Sequence, residues 1–243
     1  MGPMLEVYEV VRVLHIVGGA LGLVSMFVPL LSRKGSPIHR RVGRVFAWSM
    51  LVAGATGVAM AAAWLLVPSA FATADRLVEQ RIRGMFLGSV GLLLLCAVQQ
   101  MLRSLTRKRS PAPAPTRLDL ALPAIMVVFG ASTVVVGAIY GAMLPVIFGV
   151  IATSTGIGDL RFVTRPLSTP KAWWYQHMRG AMVAIISGVT AFAVLGGNRL
   201  LRQVMPAELV WVPWIAPSVV LVPLFTVWIG RWKRRFGEAS AAG

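Results

Sequence analysis

Residues 120–158 read LALPAIMVVFGASTVVVGAIYGAMLPVIFGVIATSTGIG, a run of 39 positions between Asp119 and Asp159 without one charged side chain. A helix needs roughly 20 apolar residues to cross the hydrocarbon core of a bilayer. The run is too long for one crossing and suits two joined by a tight turn. The spacing predicts that turn near Tyr140-Gly141, with spans over about 118–139 and 142–160.

The same reading extends outward along the chain. Further apolar runs predict spans over about 8–31, 44–67, 84–105, 177–195 and 209–228, seven in all. The runs are too long and continuous for barrel strands, and in lipid only helices and closed barrels satisfy their own backbone groups. The expected fold is therefore all-α, a single transmembrane domain of seven helices. Ser36-Pro37 reads as the N-cap and first position of the second helix, which ends before Pro68. The polar segment 69–83 reads as a surface loop or short interfacial helix, and 161–176, with Trp173-Trp174-Tyr175, as interfacial. Residues 106–117 form a Pro/Ala-rich cytoplasmic linker. Pro213, Pro217 and Pro223 predict a kinked last helix, and 231–243 a basic, then disordered, tail. The one cysteine, Cys96, can form no internal disulfide and reads as a small buried apolar residue. No basic segment precedes the first span, so that span is expected to stay in the mature protein.

The chain carries a net charge of +16. Its Lys and Arg lie in short loops between apolar runs, so the charge points to lipid headgroups as partner and excludes a soluble basic face for nucleic acid. Seven spans place 18 of the 24 basic residues on one side, among them Lys34, Arg40, Arg44, Arg103 and Arg179. The other side keeps Arg12, Arg76, Arg81, Arg83, Arg199 and Arg202. The positive-inside rule then sets the N-terminus outside and the C-terminus in the cytoplasm. All eight tryptophans fall near predicted span ends, as an aromatic belt requires.

A weak repeat runs through the sequence. Val52–Met60 (VAGATGVAM) aligns with Ile186–Val194 (ISGVTAFAV) at an offset of 134, and Ser36-Pro37 with Thr169-Pro170 at 133. It predicts parallel repeats in a three-one-three arrangement.

Chemistry has few places to sit. His39 opens the second helix and His177 the sixth, both on the basic side. Two neutral imidazoles from facing helices suit a haem iron, with Arg40, Arg44 or Arg179 pairing the propionates. The plainer alternative is two interfacial histidines, which cost little near headgroups. The repeat sets His177 one turn deeper than the counterpart of His39. His15 lies inside the first span, one turn beyond Arg12, where an ionisable side chain serves a quinone, a proton relay, a metal or simple packing. Gly18 and Gly22 predict a close helix contact. Asp159 is expected to pair with Arg161 or Arg165, and Asp119 to complement a helix dipole. No mid-span lysine suits retinal, and no phosphate loop, zinc-protease helix or hydrolase serine elbow is present.

The runs LHIVGGALGLVSMFVPLL (14–31) and HRRVGRVFAWSMLVAGATG (39–57) resemble a bacterial family of membrane proteins of unknown function. Its mark is a helix-1 histidine followed by HRxxGR at the next helix start, here His15, His39, Arg40, Gly43 and Arg44. The layout is also distantly similar to the transmembrane ascorbate-reducible di-haem cytochromes. Those need four haem ligands, and this chain has three histidines, so the resemblance implies at most one bis-histidine haem. It covers about 50 residues. It implies a multi-pass protein of the bacterial cytoplasmic (inner) membrane.

The sequence thus leads to a redox protein with one b-type haem or a quinone site, centred on His39 and His177. The alternatives are a small-solute or proton-coupled transporter using His15, and a non-catalytic accessory subunit. A homo-oligomer or a membrane partner protein is compatible with each.

Overall fold

The computed structural model describes residues 3–108, 113–196, 206 and 209–238. Arg109, Arg199, Arg202 and the end of the tail lie outside the described residues. Among the described residues there is no strand, and seven helices are long and apolar enough to cross a membrane. The chain is a multi-pass integral membrane protein.

The 39-residue run forms the expected hairpin, α5 (Arg117–Ile139) and α6 (Met143–Thr164), turning at Gly141. Gly141 holds φ +64°, a left-handed conformation that glycine adopts freely. Small residues then let the two helices close. A Cβ on Gly130 would lie 3.0 Å from the Gly149 carbonyl, and one on Gly149 2.7 Å from that of Gly130. Close backbone approach of this kind drives helix association where lipid offers no hydrophobic gain.

The first span is two pieces, α1 (Pro3–Ser25) and α2 (Phe27–Leu31). Its Gly18 and Gly22 meet the next helix, α3 (Pro37–Leu66), as the sequence predicts: a Cβ on Gly18 would lie 3.0 Å from the Ser49 carbonyl. Ser36 caps α3, its Oγ accepting from His39 N at 3.2 Å, with Pro37 in the first turn. α4 (Leu77–Ser104) is the central helix: 67% of its spanning window is buried, against 33% or less in every other span. α7 (Ala172–Ala191) crosses close to it, and α8 (Val212–Arg235) closes the bundle against α7. One core cluster joins Met26, Met50, Val98, Ala184 and Phe225; a second joins Leu93, Cys96, Met126 and Ala152. Cys96 is fully buried, as expected.

Several helices run past the apolar segments that predict them. α4 begins at Leu77, α7 at Ala172, and α8 continues to Arg235. Hydropathy marks where hydrocarbon ends, but Glu, Arg and Lys are good helix formers, so the helices continue into the headgroup region. Segment 69–83 is accordingly two 3-10 turns and then helix. Trp173, Trp174 and Tyr175 lie in the first turn of α7. Pro217 and Pro223 are inside a continuous α8. Within the basic tail, Glu238 accepts from Thr169 Oγ1 (3.0 Å), Lys171 N (3.0 Å) and Tyr175 Oη (2.7 Å). Trp174 packs on Trp232 and Phe236 at the same place, with centroids 4.8 and 5.4 Å away.

The two halves pack differently. α3 lies against both α1 and α4, whereas the main partner of α7 is α4 and that of α6 is α5.

Candidate functional site

Each of the three histidines donates from Nδ1 to a backbone carbonyl. His39 reaches Pro29 at 3.1 Å, His177 reaches Met101 at 2.8 Å, and His15 reaches Ala53 at 2.9 Å with Thr56 Oγ1 at 3.2 Å. A carbonyl can only accept, so the Nδ1 proton is assigned by its partner, and in the neutral ring Nε2 carries the lone pair.

His15 stands alone in the middle of the α1–α3 contact. Gly57 makes room for it: a Cβ there would lie 3.3 Å from His15 Cε1. Arg12, one turn away, donates from Nε to Glu9 Oε2 at 2.8 Å.

His39, at the start of α3, and His177, early in α7, both lie at the end of the bundle that carries the basic loops. His39 and Lys34 both lie within electrostatic reach of the His177 ring. Lys34 is part of this cluster, and sequence reading passes over it. Its Nζ caps the end of α2, donating to Pro29 O (2.8 Å) and Leu30 O (2.6 Å), and lies 5.2 Å from the centroid of the Trp228 ring. The Pro29 carbonyl therefore accepts from both Lys34 and His39. Burial pushes the Lys34 ammonium below its usual range. The signal for it was present in the sequence: a lysine three residues after a helix end is a natural C-cap.

The arginines divide. Arg40 and Arg44 are exposed, and neither pairs with a carboxylate among the described residues. Arg179 turns to Asp159, with Nη2 3.4 Å from Oδ1, and also reaches the Thr155 carbonyl at 3.4 Å. Gly158 lets it approach, since a Cβ there would lie 3.1 Å from Arg179 Nη1. Asp159 thus pairs with α7 rather than with Arg161 or Arg165, which sit exposed on its own helix end. It also accepts from Gln176 Nε2 at 2.7 Å.

Asp119 does more than answer a dipole. It completes a capping box with Thr116, receiving Thr116 N at 2.7 Å, and accepts from Gln99 Nε2 (2.6 Å) and Arg103 Nε (2.7 Å). Beside it, α3, α4 and α5 border a recess of about 410 Å³ lined by Leu51, Leu95, Gln99, Leu102 and Arg103, among others.

Among the described residues, no three His, Cys, Asp or Glu side chains gather to hold a metal ion. Two imidazoles can serve only as a partial ligand set, as in a haem, whose macrocycle supplies the remaining donors. No match to the chain is found among protein families, curated proteins or solved structures.

Proposed function

We propose that this membrane protein is a redox component in which His39 and His177 would hold one b-type haem. The observation that carries the reading is a pair of histidines at one end of the bundle with the same tautomer. Both rings spend the Nδ1 proton on a carbonyl of another segment and keep an Nε2 lone pair. Metal-ligating histidines are oriented in this way. Haem supplies one-electron chemistry when bound. The chain holds the two rings on separate helices, α3 and α7, and fixes their rotation through Pro29 and Met101. Exposed Arg40 and Arg44 suit the propionates, while Arg179 is committed to Asp159. The Lys34 charge favours the less positive oxidation state of whatever the rings hold. By the positive-inside rule this end faces the cytoplasm, which in a bacterium makes the protein one of the inner membrane.

The test is the visible spectrum of the detergent-purified protein, oxidised and dithionite-reduced. A Soret band that sharpens on reduction supports the reading. A flat spectrum from cells supplied with haem overturns it. A quinone that co-purifies with such colourless protein, and is lost in His39→Ala, would put a quinone site in its place.

A further inference from the structure

A second polar site lies between α4, α6 and α7, and the histidine pair does not use it. Gln100 is 1% exposed, and neither Nε2 nor Oε1 has a hydrogen-bond partner. Asp159 is 2% exposed; its Oδ1 is engaged by Gln176 and Arg179, and its Oδ2 has no partner. Ser104 is fully buried and gives its proton to the Met101 carbonyl at 2.9 Å, so its oxygen remains free to accept.

These groups share one level of the bundle. α4 and α6 run in parallel, with Cys96 and Ala152 in one apolar cluster and Arg107 bonded to the Phe162 carbonyl. Gln100 and Ser104 follow Cys96 at successive turns of the same α4 face, and Cys96 itself lies within electrostatic reach of Asp159. Orphaned polar groups at this depth are costly and call for a partner. That partner must donate to Gln100 Oε1 and Asp159 Oδ2 and accept from Gln100 Nε2. The Asp159–Arg179 pair is already balanced in charge, which disfavours a metal cation. Water meets all three demands, with the two to four polar partners that buried water takes.

We propose that this junction is a hydrated proton site, in which water bridges Gln100 to Asp159 and Asp159 Oδ2 takes up a proton from the basic end. A hydronium gives its proton to Oδ2 and becomes water; an O–H bond forms on the carboxyl. Arg179, whose side chain is 33% exposed, loses its counter-charge but stays solvated. The titratable and charged groups around Asp159 are Arg179 from α7, Cys96 and Arg107 from α4, and Arg161 on α6 itself. α5 faces Gly156 with Pro123, Met126 and Val127 and carries Asp119 one turn beyond Pro123, paired with Arg103.

Infrared difference spectroscopy tests the site. Acidification should raise the carbonyl stretches of neutral carboxylic acids, one of which is absent in Asp159→Asn. Exchange from D2O into oxygen-18 D2O should shift an O–D stretch of internal water, and Gln100→Leu should abolish that isotope-sensitive band. Absence of any isotope-sensitive band, or its persistence in Gln100→Leu, would overturn the proposal, and so would a set of titrating carboxyl bands that Asp159→Asn leaves unchanged. If Asp159→Asn does not fold, wild type and Gln100→Leu decide the matter. Neither readout involves His39 or His177, so this site stands or falls apart from the haem reading.

Discussion

His177 on α7 donates its Nδ1 proton to the Met101 carbonyl of α4 at 2.8 Å, one turn from the point where Gly180 lets the two helices touch. A Cβ on Gly180 would collide with the Ala97 carbonyl and lie 2.9 Å from both Met101 N and Met101 Cβ. The glycine and the histidine are thus parts of one contact, and the position of the ring depends on how closely α7 approaches α4.

Gly180→Ala should therefore push α7 away from the central helix. Overpacking of this kind costs about 1–3 kcal/mol. Gly19, with nothing within 4 Å of an added Cβ, is the control, and Gly19→Ala should leave stability unchanged or slightly raised. Thermal unfolding in detergent checks both: a lower midpoint for the first variant and none for the second. Equal midpoints would contradict the close α4–α7 contact.

Asp119→Ala should destabilise the start of α5. It removes a capping partner and leaves Gln99 and Arg103 without their acceptor, a loss of about 2 kcal/mol. Asp119→Asn retains one acceptor oxygen and should lose less. Limited proteolysis of the 106–117 segment would read the fraying, with faster cleavage in Asp119→Ala than in Asp119→Asn.

The carboxyl of Glu238 sits below its usual range. Burial is the largest single influence and raises it, but the Tyr175, Lys171 N and Thr169 donors and the Lys171 charge together outweigh burial. A depressed folded value means that the carboxylate stabilises the contact above the unfolded carboxylate value and that this contribution is lost as pH falls through the folded value. The tail should release from α7 below about pH 4.3, where free glutamate titrates. Tryptophan fluorescence reports it, because Trp174 stacks on Trp232 and Phe236 at the clamp. Glu238→Gln should remove the acid transition; an unchanged transition would place its origin elsewhere.

The fold was legible where charge and helix length decide it. The uncharged run between Asp119 and Asp159 can only be two spans, and glycine at 141 marks the turn between them. Contacts between distant helices were not. Arg161 and Arg165 are the nearest basic residues to Asp159 in sequence, yet they lie exposed on its own helix, and the partner comes from α7. Gln100 reads as one of two glutamines near a span end. Its complete burial follows from the central place of α4, which hydropathy does not reveal because every span is apolar. The histidines were legible as residues, but the carbonyls that set their tautomers belong to other segments and carry no side-chain signal.

The most direct test of the central claim is the reduced-minus-oxidised visible spectrum of His15→Ala, His39→Ala and His177→Ala, each purified beside the wild type. Paired ligation by His39 and His177 predicts a haem spectrum in wild type and His15→Ala, and its loss or conversion in each of the other two. A haem spectrum unchanged in His39→Ala and His177→Ala, or lost only in His15→Ala, would contradict it.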